Sequence, residues 1–240
     1  MPLGKYLGNA AKRLDREFAI KAWLRGEPRP PGGGFDLAGE KIIDWGWICV
    51  NLPPGRKRAL EIGCGESPVI PAMLAQGYDV VGVDFDSRLS RELGDFTFVQ
   101  GDFNEVALVP GFDVIVACSA IEHFGLSGRY GSGEDHDGDL KAMRRLRSLL
   151  APDGIAMLTI PVGTDVVHRP WHRVYGGRRL PLLLEGFRLV KSRFLIKEPW
   201  GPWRESTETL ALAQPPDIRR YSLGEFILSP NGATGENDHS

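Results

Sequence analysis

The chain has 240 residues, 42% of them hydrophobic and 25% charged, with a formal net charge of −2. That supports one well-buried core with extensions, and the near-balanced charge sets up no field that would recruit nucleic acid or an anionic membrane. The three cysteines, Cys49, Cys64 and Cys118, are widely spaced without a C-x-x-C pair, so reduced thiols in a cytoplasmic protein are expected rather than disulfides or a zinc site.

From Lys5 to Leu24 the apolar residues Leu7, Ala11, Leu14 and Phe18 recur at helical spacing between charges. This predicts an amphipathic helix that packs on the body of the protein; a lid or a homodimer surface are the alternatives. Charges throughout Met1 to Arg25 argue against a signal peptide and a membrane span. The run GEPRPPGGG, residues 26–34, is a linker, so 1–34 stands apart from a main domain over 35–228. That domain opens with a helix within Phe35 to Leu52.

Residues 59–84 carry the densest signal. An apolar strand, Ala59 to Ile62, turns into Gly63-Cys64-Gly65; Ser67 and Pro68 suit the N-cap and first position of a helix; a second strand, Val80 to Val83, ends on Asp84. Strand, glycine turn, helix, strand and acidic tip form the first half of a nucleotide-binding α/β unit. Glycines let backbone approach a ligand, and a carboxylate about 20 residues beyond the turn can take both hydroxyls of a ribose. The sixth position of a dinucleotide fingerprint holds Pro68 instead of glycine or alanine, and Glu61 precedes the turn. Both argue against an NAD-dependent oxidoreductase.

Further strands are expected at Phe96 to Val99, Asp113 to Cys118, Ile155 to Ile160, Phe187 to Ile196 and Thr207 to Ala213, the last two as an antiparallel hairpin at the sheet edge. A helix is expected over Leu140 to Leu150, with Arg144, Arg145 and Arg147 on its solvated side, followed by a turn at Ala151 to Gly154. Helices between strands imply right-handed crossovers and a parallel sheet. The expected fold is therefore α/β, a Rossmann-like, seven-stranded and mostly parallel sheet with helices on both faces. Ser229 to Ser240 is polar and is expected to be a disordered tail.

Four of the five histidines fall in two stretches, Ser119 to Gly138 and Pro161 to Arg179, which follow the fourth and fifth strands. Ligands of open α/β sheets bind beyond the carboxyl ends of the strands, so these loops should meet over one edge. His123, just past the fourth strand, is the first candidate for a general base, then His172, then His136. Glu122, Tyr130, Arg173 and Tyr175 suit contacts to a polar acceptor. Glu122, Asp135, Asp137 and Asp139 can hold Mg²⁺ through oxygen ligands; the alternative is a polar loop bonded to its own backbone, and the metal is left open.

The Glu61-x-Gly63-x-Gly65 turn resembles the first motif of class I S-adenosylmethionine (SAM) methyltransferases, although the family often has glycine where this chain has Ser67. The resemblance implies a cofactor site of Glu61, Gly63, Cys64, Gly65, Asp84, Phe85, Asp102, Phe103 and Ser119. Asp84 would hold the ribose, and Gly101-Asp102-Phe103 would lie beside the adenine. Ordered blocks in the second half, Ile121 to Leu126, Gly138 to Met143, Pro161 to Gly163 and His172 to Gly176, resemble a little-studied bacterial and nematode domain family of unknown function. Members of that family look like methyltransferases and accompany cell-surface polysaccharide genes. This chain departs from it at residues 131–136, GSGEDH. The resemblance implies a SAM-dependent O-methyltransferase acting on a hydroxyl of a sugar or oligosaccharide. A non-sugar small molecule as acceptor, an oxidoreductase and a non-catalytic SAM-fold module are the alternatives.

Overall fold

The computed structural model describes residues 40–65, 67–86, 94–127, 133–197, 203–215 and 221–231. The N-terminal helix, the linker and Tyr130 lie outside the described residues. Helix α1 (Glu40–Asn51) leads into strand β1 (Arg58–Ile62), helix α2 (Val69–Ala75), β2 (Asp79–Asp84), β3 (Thr97–Gln100) and β4 (Phe112–Cys118). After a single 3₁₀ turn (Ile121–His123) come α3 (Gly138–Leu149), β5 (Leu150–Val162) and a hairpin of β6 (Val166–His168) with β7 (His172–Val174). The chain closes with α4 (Arg179–Leu183), β8 (Phe187–Lys197), β9 (Trp203–Ser206), α5 (Glu208–Leu212) and β10 (Ser222–Pro230).

The main sheet has the order β3-β2-β1-β4-β5-β10-β8-β9. The first five strands run parallel, and β10 is antiparallel to both β5 and β8. Strand β1 is central, and four of its five residues are buried; β4 is nearly as enclosed. Covered on both faces, these strands read as continuous apolar runs instead of alternating ones. One core lies under α1 and α2, around Trp47, Ile48, Met73 and Val116. The other lies on the opposite face, where Leu60, Ile115 and Leu158 meet Met143 and Leu146 of α3. From β1 the chain moves outward to β2 and β3, then returns to place β4 on the other side. The gap beyond the ends of β1 and β4 is thus the topological switch point, where such sheets bind ligands.

The structure corrects four local expectations. Thr207 to Ala213 is not a strand: Thr207 accepts a hydrogen bond from the Leu210 N–H at 3.3 Å and caps α5, and that N-terminal signal outweighs the residues' weak strand character. The remaining antiparallel strand is β10, inserted between β5 and β8; it runs on to Ser229 and Pro230, which pair with Arg188 and Phe187, so the tail does not begin at 229. Strand β9 adds an edge, making eight strands instead of seven. The Ala151–Gly154 turn is absorbed into β5 as an irregularity, the register passing from Phe112↔Leu150 to Val114↔Ile155. Among the described residues no helix is long and apolar enough to cross a membrane.

Candidate active site

The glycine turn closes β1 with positive φ at both glycines, +70° at Gly63 and +34° at Gly65, a conformation only glycine adopts freely. A Cβ on Gly63 would stand 2.9 Å from the Ala120 Cβ, so the turn also passes too close to the β4 tip for a side chain. The Gly63 N–H donates to the Val83 carbonyl at 2.8 Å, and the Gly65 N–H donates to Asp84 Oδ2 at 2.9 Å. Asp84 Oδ1 accepts from the Asp86 N–H at 3.0 Å. Each oxygen keeps lone-pair capacity for a ligand donor. The Gly101 N–H donates to the Asp84 carbonyl at 3.0 Å, and Asp102 Oδ1 accepts from the Asn104 N–H at 2.8 Å. Glu61, Gly63, Gly65, Asp84, Phe85 and Asp102 are thereby gathered at the tips of three adjacent strands. Ser67 accepts from the Val69 N–H at 3.1 Å, while the helix itself begins at Val69 with Pro68 as its N-cap, one residue later than the sequence suggests.

Two residues expected at the cofactor have a packing role instead. Cys64 is wholly buried in the core beneath α2, and burial pushes its thiol well up. Phe103 is enclosed as well, edge-on to Phe124 with ring centroids 6.0 Å apart.

Glu61 is fully buried, and neither carboxylate oxygen meets a hydrogen-bonding partner among the described residues. Burial pushes its carboxyl up to about 8, opposed by the Ser67 hydroxyl and the Lys41 cation and reinforced by Asp84. Orphaned carboxylate oxygens beside a glycine cradle fit a ligand that carries a positive charge or N–H donors, as the amino-acid end of SAM does.

A second polar group, which the sequence reading missed, comes from α1. Asp44 is fully buried with Trp47 and Ile48 on the inward stripe of that helix. Its Oδ2 accepts from the Ser119 hydroxyl at 2.9 Å. Burial pushes its carboxyl up to about 7, against the opposing pull of Lys41 and Ser119. Lys41 donates to the Cys118 carbonyl at 3.4 Å; burial works against its charge, but Cys118, Glu122, Asp44 and Glu40 outweigh that and raise its pKa. Burial, with Glu40, Glu122 and Asp44, also holds the Tyr221 hydroxyl well above the ordinary phenol range. The available signal was an aspartate on the apolar stripe of a helix.

The loops after β4 and β5 do meet. His123 Nδ1 lies 2.5 Å from the Trp171 carbonyl, an acceptor, so Nδ1 carries a proton. Nε2 is 3.7 Å from Oε1 of the buried Glu122. His172 is buried on β7 between two rings, His168 at 5.5 Å and Tyr221 at 5.3 Å between centroids. His136 stands apart, its side chain 78% exposed and its Nδ1 2.8 Å from Asp137.

Arg173 and Tyr175 brace these loops, which corrects the expectation that they contact an acceptor. Arg173 is 2% exposed and donates to the carbonyls of Phe124, Asp135 and His136. The Tyr175 hydroxyl, fully buried, donates to Asp139 Oδ2 at 3.1 Å. Arg179 bonds the same carboxylate at 2.9 and 2.5 Å. The acidic loop is likewise matched by the chain's own cations, Asp135 by Lys141 at 2.6 Å and Asp137 by Arg179 at 3.3 Å. Among the described residues no group of three or more His, Cys, Asp or Glu is disposed to hold a metal ion. The Mg²⁺ expectation gains no support, because these carboxylates already have partners.

Strand order, the glycine turn and the acidic β2 tip are those of the class I SAM-dependent methyltransferase fold, and solved members of that class superpose on the chain. A 1,6-didemethyltoxoflavin-N1-methyltransferase from Burkholderia thailandensis, solved with 1,6-didemethyltoxoflavin and S-adenosylhomocysteine, is 19% identical; 96% of this chain and 93% of that one align, with a TM-score of 0.55. The N-methyltransferase NodS from Bradyrhizobium japonicum is 17% identical over 82% of this chain and 99% of its own, with a TM-score of 0.55. A TehB-like SAM-dependent methyltransferase from Corynebacterium glutamicum is 20% identical over 91% and 100%, with a TM-score of 0.50. At such identities the likeness establishes the fold. The chain itself belongs to the family described as Caenorhabditis protein of unknown function, DUF268, which it matches over residues 72–197. No curated protein matches it.

Proposed function

We propose that the protein is a SAM-dependent O-methyltransferase acting on a hydroxyl of a sugar or oligosaccharide. In its narrowest form the acceptor is the 1-hydroxyl of a mannoside, methylated at the start of methylmannose polysaccharide assembly, as a resemblance of this chain to the mycobacterial enzyme for that step would imply. The observation that carries methyl transfer is the Asp84–Gly65 bond at the switch point, beside the orphaned carboxylate of Glu61. Glu61, the Gly63–Gly65 turn, Asp84, Phe85, Asp102 and Ser119 would hold SAM, which supplies an electrophilic methyl group on sulfur.

The chain's own contribution is orientation and proton handling. A sugar hydroxyl is a weak nucleophile, and holding it in line supplies much of the acceleration. His123, whose Nδ1 faces the Trp171 carbonyl, would take the hydroxyl proton on Nε2 as the acceptor oxygen gains the methyl group and the methyl–sulfur bond breaks; such a base contributes roughly 10²–10⁴-fold. The β6–β7 hairpin covers this point with His168, Trp171 and His172.

Calorimetry with SAM and S-adenosylhomocysteine tests the cofactor, with NADH as competitor to test the oxidoreductase alternative. Mass spectrometry for the gain of one methylene across mannosides, glucosides and lipid-linked intermediates tests the acceptor. SAM binding with methylation of a non-sugar acceptor alone would overturn the sugar assignment.

A further inference from the structure

Among the described residues Ser119 is the one non-glycine with positive φ, +44°. A left-handed residue with a side chain costs about 1–2 kcal/mol, and such strain persists where surrounding contacts over-determine it. Ser119 is held from two sides. Its N–H donates to the Thr159 carbonyl at 2.9 Å, with Thr159 Oγ1 at 3.1 Å. Its hydroxyl donates to Asp44 Oδ2. One residue earlier, Lys41 holds the Cys118 carbonyl. Lys41 and Asp44 are three apart on α1 and so share a face. Two residues after Ser119 begins the turn Ile121–His123, which carries Glu122 and His123.

Packing alone would not choose an aspartate at position 44. The site is fully buried beside Trp47 and Ile48, and Oδ1 has no hydrogen-bonding partner among the described residues. An unsatisfied buried polar atom is destabilising, and an apolar side chain would complete the stripe without that cost. Breaks of this kind between local pattern and chemistry concentrate at functional sites.

We infer that Asp44 is a positioning residue for the proposed reaction: through the Ser119 hydroxyl it locks the β4 tip in the left-handed turn that sets the place of the Ile121–His123 segment, and with it of His123. Lys41 acts with it by fixing the preceding carbonyl. The catalytic consequence rests on the methyl-transfer reading above; the effect on the His123 ring rests on geometry alone.

Three variants separate the roles. Asp44→Asn keeps an oxygen for the Ser119 hydroxyl, Asp44→Ala removes it, and Asp44→Leu removes it while filling the stripe. Imidazole ¹H–¹⁵N NMR should show the Nδ1–H tautomer of His123 in the parent and in Asp44→Asn, and a mixture in Asp44→Leu. In turnover, Asp44→Leu should lose about a hundredfold in kcat, the scale of a 1 Å misplacement, with Tm preserved, with a much smaller loss of SAM affinity through Ser119, and with Asp44→Asn restoring most of the rate. An unchanged His123 tautomer in Asp44→Leu, near-parental kcat in Asp44→Ala, or Asp44→Asn as poor as Asp44→Leu would each overturn the inference. A parallel loss of kcat, SAM binding and Tm would reduce Asp44 to a structural role and overturn it too. If the parent methylates nothing, the functional reading fails, and the imidazole spectrum still decides whether Asp44 controls His123.

Discussion

The carboxylate of Asp84, at the tip of β2, accepts a hydrogen bond from the Gly65 N–H at the end of β1, at 2.9 Å. This single contact shapes the turn and leaves the same carboxylate available to a ribose. Asp84→Ala removes a charge-assisted interaction worth roughly 1.5–3 kcal/mol, which corresponds to about a ten- to hundredfold weaker Kd for SAM. Calorimetry on the folded variant checks it, and unchanged affinity would sink the cofactor assignment.

His123 and His136 should part company. His123→Ala is expected to lose at least about a hundredfold in kcat, the lower edge of a general base's contribution, with SAM affinity and Tm nearly intact. His136, whose side chain is exposed and paired with its neighbour Asp137, should tolerate alanine with near-normal kcat. The reverse pattern would move the proton-accepting role to the surface loop.

Glu61 makes a prediction about pH. Burial raises its carboxyl from an ordinary 4.5 to about 8, so the folded chain binds this proton more tightly than the unfolded chain. The associated stability is complete below the ordinary value and is lost as pH rises through about 8. Asp44, pushed up to about 7, acts in the same sense. Tm of the SAM-free protein should therefore carry a falling component between about pH 5 and pH 9, and Glu61→Gln should flatten it, each kcal/mol appearing as roughly 2–4 °C. An identical pH slope in parent and variant would remove Glu61 from the account.

Asp139 holds the second half of the site together. It is fully buried and bonded by Arg179 and Tyr175, with Arg173 Nε 3.7 Å away. Asp139→Ala leaves the buried Arg173 facing carbonyls without a counter-charge, and removing one partner of a buried pair costs about 3–5 kcal/mol. Urea unfolding should show that loss; a much smaller one would mean that the loops are braced elsewhere.

Metal removal should leave the protein unaffected. Asp135 and Asp137 are paired with Lys141 and Arg179, so turnover in EDTA should match turnover in Mg²⁺. Chelator-sensitive activity, restored by Mg²⁺, would show that these pairs open to a cation.

The parts legible in the sequence depend on short-range rules. Gly63 and Gly65 are required wherever a strand turns sharply with positive φ, Ser67 and Pro68 lead into the helix that follows, and the apolar run of β1 with Asp84 two elements later announces a parallel βαβ unit. These features are carried by residues close in the chain, so their spacing states the geometry. The five parallel strands followed from the same periodicity. The edge did not: Thr207–Ala213 became a capped helix, and β10 entered between β5 and β8.

What only the tertiary structure decided was the state of each polar side chain. Arg173 and Tyr175 suited acceptor contacts in the sequence; in the fold both are buried and face Asp139, more than thirty residues away in sequence. Asp44 drew no attention in the sequence; burial at the β4 tip made it the partner of Ser119, 75 residues further on. The physical reason is that desolvation, which sets both the cost and the pKa of a charged group, depends on what packs against it from distant elements. Composition and spacing state which charges exist, and the fold determines which of them lose their water.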